Sequence, residues 1–292
     1  MYLAFYNLRE FPFAMGCDAR FFYESSVHAE ALANMLYTFQ QRKGMVLISG
    51  EVGAGKTFVG NLLICRLGPG CQAVMLRHPP QSGKQMLRAL AGGLGIRVPT
   101  AADKLDLVDR LQQHLLRMFH RGRLVALILD ECQDLSTGVL EEIRLLWNWE
   151  QDGQRLVQIL LIGQPELREK LQEPKWESLR QRIVLSYHLG HLSADDTDGY
   201  IRRRLKVAAN GGHGQADFTP QAIAEIHCAT DGIPRLINVL TDNSLLVGYA
   251  KGVHCIDRLI VREVLRDMTC WGLRTPPAEI ETTEQALTRT GA

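Results

Sequence analysis

The sequence predicts an α/β fold, a parallel sheet with helices on both faces, followed by a small all-helical domain. Two observations carry this. Between residue 45 and about residue 187, short apolar runs alternate with amphipathic stretches, the pattern of parallel strands joined by helical crossovers. Beyond residue 192 only helical patterns continue.

The elements follow in order. The first 25 residues are crowded with aromatics (Tyr2, Phe5, Tyr6, Phe11, Phe13, Phe21, Phe22, Tyr23) and contain Pro12 and Gly16. They read as an irregular arm that packs by its rings. A helical stretch covers about 27–41. The run 44–49 is short, apolar and bounded by glycine, as a strand buried on both faces should be. From Lys56 the pattern turns helical as far as Gly68. A strand over 73–76 and a short helix over 85–94 come next. Over 103–120, Val108, Leu111, Leu115 and Met118 recur at helical spacing. The run 124–129 is a strand, 137–149 a helix and 156–162 a strand. In the second part, Ser193 and Asp196 have capping-box spacing. Thr219-Pro220 sets an N-cap beside a proline at the first helical position. Pro234 opens another helix, and Asp257 caps a last one. Residues 210–215 read as a loop, and 271–292, rich in Thr, Pro and Glu, as a disordered tail.

Composition excludes several classes. Of the 292 residues 46% are hydrophobic, and 33 basic against 32 acidic side chains leave a formal charge of +1. Neither a disordered chain nor a strongly basic nucleic-acid protein fits, although a local basic patch stays open. No apolar run approaches the roughly 20 residues of a membrane span, and residues 1–10 do not read as a signal peptide. The seven cysteines are odd in number and form no Cys-x-x-Cys pair. That argues against zinc and a disulfide framework, and a reducing cytoplasm is expected.

The chemistry begins at the end of the first strand. Gly50, Glu51, Val52, Gly53, Ala54, Gly55, Lys56 and Thr57 fit G-x-x-x-x-G-K-[ST] in full, between a strand and a helix. Glycines let the backbone curl so that its N–H groups point at phosphate oxygens, and the positive end of the following helix adds to that field. Lys56 is expected at the β- and γ-phosphates and the Thr57 hydroxyl on Mg2+. The nucleotide is expected to contact residues 50–57 and Phe58. Gly53 serves turn geometry as readily as phosphate contact.

The apolar run 124–129 ends in Asp130 and Glu131. Ligands of open parallel sheets sit at the carboxyl ends of the strands, so these acids are placed for work. Asp130 is the expected magnesium ligand and Glu131 the general base that polarises water, the Walker-B pattern. Cys132 reads as a buried spacer or, without a nearby histidine, a poorly supported nucleophile. The strand over 156–162 runs to the same edge, and Gln164 is assigned a sensor role toward the γ-phosphate. Arg180 and Arg182 follow the next helix. One of them, with Arg182 preferred, is expected to serve a neighbouring subunit as an arginine finger. Arg235, beside Pro234, is a second sensor candidate if the helical domain lies over the nucleotide. His28 is either an adenine-pocket residue or an ordinary capping histidine. Arg202, Arg203, Arg204 and Lys206 form a basic run on a predicted helix, read as a solvated face or a contact to phosphates.

Taken in order, Gly50 to Thr57, Asp130-Glu-Cys-Gln133, Ile162-Gly-Gln-Pro-Glu-Leu167, Leu179-Arg-Gln-Arg-Ile183 and Gly232-Ile-Pro-Arg-Leu-Ile-Asn238 look like the AAA+ ATPases of the ExeA type, the general secretion pathway protein A group. Phe11-Pro-Phe13 and the Ser25, His28, Ala31, Leu32 pattern add to the likeness. Related ATPases serve pili, exopolysaccharide systems and, in the TniB type, transposition. The resemblance implies a P-loop NTPase sheet, a helical lid, and ring or filament assembly. It also implies the roles given above for Lys56, Thr57, Asp130, Glu131, Gln164, Arg182 and Arg235. Domain boundaries are expected at 1–25 for the arm, 26–192 for the nucleotide-binding domain, 193–270 for the lid and 271–292 for the tail. Cys132 departs from the alanine common in the group. Secretion-type members continue into a membrane segment and a peptidoglycan-binding region, absent from this sequence, so secretion or cell-wall work is not implied.

Three functions are compatible with these residues. The first is an Mg-ATP-hydrolysing AAA+ ATPase that forms a homo-oligomer and remodels or recruits a protein partner. The second is an ATP-dependent DNA-binding transposition regulator. The third is a nucleotide switch without hydrolysis, which the intact Asp130, Glu131 and Arg182 disfavour.

Overall fold

The computed structural model describes residues 2–16 and 18–268. The tail expected over 271–292 lies outside the described residues. The chain divides into two units, one of residues 15–192 with 233–235, the other of residues 1–14, 193–232 and 236 onward.

The first unit is built on a five-stranded sheet. Its strands are β1 (Met45–Gly50), β2 (Cys71–Leu76), β3 (Leu124–Leu129), β4 (Gln158–Gly163) and β5 (Ile183–Leu189). The spatial order is β2-β3-β4-β1-β5, and every pairing is parallel. Side chains alternate between faces along each strand. Met45, Leu47, Val125, Leu127, Leu129, Ile159 and Leu161 join one core, while Val46, Ile48, Ala126, Ile128, Leu160 and Ile162 join the other. Helices α1 (Ser26–Gln40) and α2 (Lys56–Leu67) cover the second face. The first is covered by α3 (Gly83–Gly93), α4 (Lys104–His120), α5 (Thr137–Trp147) and α6 (Pro165–Gln172). Strands buried on both sides are continuously apolar, which is why β1, β3 and β4 stand out in the sequence.

Some expected boundaries move. Helix α5 stops at Trp147, and the strand expected from residue 156 begins at Gln158. Between them a small antiparallel hairpin pairs Glu150–Gln151 with Gln154–Arg155. Its turn is Asp152-Gly153, with φ of +54° and +73°, the conformation that Asp-Gly favours in a two-residue hairpin loop.

The second unit contains α7 (Ala194–Ala208), α8 (Pro220–Thr230), α9 (Pro234–Ala250) from its third residue on, and α10 (Arg258–Asp267). Ser193, Thr219 and Asp257 cap α7, α8 and α10 by accepting the N–H groups of Asp196, Ala222 and Ile260. The expectation of helices alone needs correction, because Asp217–Phe218 pairs in parallel with Cys255–Ile256.

The arm is shared between the units. Residues 2–14 pack with the helical unit, where Tyr6 is fully buried and donates to the carbonyls of Leu245 at 2.9 Å and Val253 at 3.2 Å. Burial pushes its hydroxyl up to about 12. The part from residue 15 belongs to the sheet unit, where Phe22 stacks on Phe58 with ring centroids 5.4 Å apart.

The basic run also resolves differently from a uniform solvated face. Arg204 is buried; its Nε donates to Pro12 O at 2.6 Å, Nη1 to the Tyr200 hydroxyl at 2.8 Å and Nη2 to Ala14 O at 2.8 Å. Arg202 is exposed but pairs with Asp198 and Asp217. Neighbouring residues on a helix point about 100° apart, so a run of three arginines cannot share one face.

Candidate nucleotide-binding site

The site grows from the carboxyl edge of the sheet. Ser49 of β1 lies beside Gly163 of β4, and Leu129 of β3 beside Leu161 of β4. Residues just beyond these strands therefore meet at one edge: the glycine-rich loop after β1, Asp130 and Glu131 after β3, and Gln164 after β4.

Gly55 caps α2 in the left-handed region, φ +95°, and offers no side-chain acceptor. Its conformation is one that residues with a Cβ avoid. The first N–H groups of a helix have no partner inside it, and no cap removes them here. They are suited to an anion. Gly50 is fixed by a close approach instead, since a Cβ there would stand 2.6 Å from Leu189 O on β5. Among the other loop residues Ala54 is buried, Gly53 is half-buried, and Glu51 and Val52 are exposed.

Lys56 is buried, with Nζ donating to Gly50 O at 2.7 Å and Glu51 O at 2.9 Å. Burial lowers its proton affinity, and the carboxylates of Glu131, Asp130, Glu51 and Glu166 oppose that shift. Thr57 Oγ1 donates to Asp130 Oδ2 at 2.7 Å, so the two expected metal ligands touch. Asp130 is buried; its N–H donates to Leu76 O at 2.9 Å, and its Oδ1 accepts the Glu131 N–H at 2.9 Å. Among the described residues there is no group of three or more His, Cys, Asp or Glu side chains able to hold a metal ion. One carboxylate with one hydroxyl is a hard oxygen pair, and it suits Mg2+, which takes few protein ligands and completes its shell with water and phosphate oxygens.

Glu131 is left-handed, φ +53°, at a cost of roughly 1–2 kcal/mol for a residue with a Cβ. Its Oε2 accepts Gln133 Nε2 at 2.7 Å. Gln164 caps α6, and its backbone N–H donates to Gln133 Oε1 at 3.1 Å. Lys170 Nζ reaches Gln133 O at 3.1 Å and Leu135 O at 2.6 Å. The Gln133 side chain and Lys170 carry no local sequence signal for these roles, because the partners lie 31 and 37 residues apart. Cys132 is fully buried, its thiol donates to Leu129 O at 3.1 Å, and burial pushes it up. It is a packed thiol rather than a nucleophile.

His28 lies in the first turn of α1, with Nδ1 2.6 Å from Ser25 Oγ. A Cβ on Gly55 would stand 3.8 Å from its Nε2, which puts the ring beside the loop. The backbone N–H of Arg235, in the segment 233–235 that groups with this unit, donates to Gly53 O at 3.3 Å. Its side chain is exposed.

Arg180 and Arg182 are not brought to this edge. Ile183 pairs with Met45 at the start of β1, so both arginines sit at the opposite, amino edge, roughly 16–20 Å from the loop at about 3.3 Å per residue. Arg182 donates to Ser178 O and Asn148 Oδ1, with its guanidinium 5.1 Å from the Trp147 ring centre. Arg180 donates to Leu171 O at 3.2 Å and Gln172 O at 3.3 Å.

Comparison with known proteins fits this geometry. Residues 39–171 match the AAA domain family. Over 256 residues the chain is 40% identical to general secretion pathway protein A of Aeromonas hydrophila, covering 88% of this chain and 46% of that protein. The chain thus spans under half the length of this curated relative. Cdc6p from Pyrobaculum aerophilum superposes with a TM-score of 0.67 at 16% identity, covering 88% of this chain and 70% of that one. The Aeropyrum pernix ORC2 protein, solved as ADPNP-ADP complexes, gives a TM-score of 0.64 at 17% identity, covering 86% and 72%. At such identities these two structures bear on the fold alone. Residues 39–171 thus carry an AAA domain on a P-loop NTPase fold, and most of the chain resembles general secretion pathway protein A.

Proposed function

We propose that this protein binds Mg-ATP, hydrolyses ATP, and assembles with further copies of itself to remodel or recruit a protein partner. The observation that carries the reading is the contact of Thr57 with Asp130 at 2.7 Å, between buried Lys56 and the Glu131 carboxylate. A P-loop helix and an acidic strand end meet there in the arrangement that phosphoryl transfer needs.

In this reading the N–H groups of the loop and the first turn of α2 hold the phosphates, and Lys56 neutralises their charge. Thr57 and Asp130 hold Mg2+, which supplies further charge neutralisation at the phosphate oxygens when bound. Glu131 accepts a proton from the attacking water. Gln164 and Arg235 contact the terminal phosphate, and Arg182 serves the site of a neighbouring copy. Residues 26–192 act as the nucleotide-binding domain and 193–270 as a lid, in the cytoplasm. Among the described residues no helix is long and apolar enough to cross a membrane.

The alternative of ATP-dependent DNA binding rests on the basic run. Burial of Arg204 takes one cation out of the run and Asp198 and Asp217 neutralise Arg202, which favours a protein partner. The test compares wild type with Glu131→Gln. The variant should bind ATP as tightly as wild type and turn over at least about 10²-fold more slowly. Equal turnover would remove Glu131 as the base.

A further inference from the structure

We propose that Gln133 is a positioning residue: it aligns the Glu131 carboxylate and ties that alignment to the strand end that carries Gln164. The inference rests on the hydrolytic reading above and goes beyond it, because none of the roles assigned there involves Gln133.

One side-chain amide bridges two adjacent strand ends. Gln133 Nε2 donates to Glu131 Oε2 at 2.7 Å and to Asp134 Oδ2 at 3.1 Å, and Oε1 accepts the Gln164 N–H at 3.1 Å. A backbone N–H demands an acceptor and carboxylates demand donors, so the amide has one orientation. Its own backbone is anchored as well, by Lys170 Nζ on Gln133 O at 3.1 Å. The amide also packs close to the backbone of β4, since a Cβ on Gly163 would stand 3.3 Å from Gln133 Oε1.

Glu131 needs such a hold. Its left-handed backbone belongs neither to β3 nor to a regular helix, so no element directs its side chain. A general base acts only within hydrogen-bond reach of the proton it takes. The bond from Gln133 fixes one carboxylate oxygen and leaves Oε1 to receive that proton. The same amide holds the N–H of Gln164, the cap of α6. A shift of Gln164 toward a phosphate therefore moves the amide and, through it, Glu131.

The test uses the full chain with Gln133→Ala and Gln133→Glu. The second keeps the length and the acceptor for Gln164 but sets a charge against Glu131. Steady-state ATP turnover is measured with Mg2+, together with the affinity for a fluorescent ATP analogue. Both variants should lose at least about tenfold in kcat, with KM and analogue affinity within about twofold of wild type, as expected when only transition-state alignment is lost. In a Glu131→Gln background, Gln133→Ala should change the single-turnover rate by less than about twofold, because the group it acts through has gone. Three results would overturn the proposal: wild-type kcat in either variant, loss of analogue affinity alongside turnover, or a further full loss in the Glu131→Gln background. Failure of the hydrolytic reading looks different, since wild type would then bind ATP without turnover, or Glu131→Gln would match it. Either result would remove Gln133's role along with that of the base.

Discussion

Lys56 and Arg204 are both buried cations, and their surroundings separate their tasks. Lys56 is held by two carbonyls of its own loop in a field of carboxylates, which is how a binding cation is kept charged. Lys56→Ala should reduce ATP affinity by roughly 10- to 150-fold, the worth of a charge-assisted contact at about 1.5–3 kcal/mol; titration with a fluorescent ATP analogue measures it. Arg204 instead closes on Pro12 O, Ala14 O and Tyr200. Arg204→Ala should cost about 2–3 kcal/mol by stranding buried acceptors. The reading is a lower thermal midpoint and early proteolysis within residues 2–14, with ATP affinity kept. The sequence held the key to Arg204 in its spacing from Tyr200, four residues earlier on α7, but three adjacent arginines look like one patch until the helix is turned. The role of Gln133 was not legible in the same way, since both of its cross-strand partners are distant in the chain.

At the scale of elements, legibility followed burial. Strands β1, β3 and β4 are apolar but for Ser49 and Gln158, because both faces are covered, and the phosphate loop and acidic pair are readable at their ends. β5 does not stand out in the sequence. It is an edge strand that alternates between partly covered and exposed residues, and Ser186 and His188 interrupt its apolar character. The hairpin at Asp152-Gly153 carried a plain turn signal, but its two-residue strands are too short for periodicity. The close approach of β5 to the start of the loop has a cost that can be measured. Gly50→Ala would drive a methyl to 2.6 Å from Leu189 O, a backbone atom with little freedom to yield. An overpacked core site typically loses about 1–3 kcal/mol. A lower thermal midpoint with weaker ATP binding is expected, and unchanged values in both would show that the edge yields freely.

For the molecule as a whole, the parallel sheet places Arg180 and Arg182 away from their own phosphate loop. A finger that works must then come from another copy, so ATP turnover per subunit should rise with protein concentration. A second measurement mixes Arg182→Ala with Glu131→Gln, each poorly active alone, and should restore part of the turnover. A flat concentration dependence, or mixtures no better than the sum of their parts, would count against Arg182. Withdrawal of Mg2+ with a chelator should abolish turnover while leaving the thermal midpoint of the nucleotide-free protein unchanged, because Thr57 and Asp130 satisfy each other without an ion.

That Lys56 is sequestered by its own loop has a thermodynamic consequence. Drying an ammonium is expensive, and here the chain bears that expense when it folds, before any nucleotide arrives. An incoming phosphate meets a cation already stripped of most of its water and gains attraction without a fresh dehydration step. The native state is correspondingly less stable than an apolar side chain of similar length would make it. Lys56→Met should therefore raise the thermal midpoint of the nucleotide-free protein while removing its ATP binding, a trade of stability for function at a single side chain.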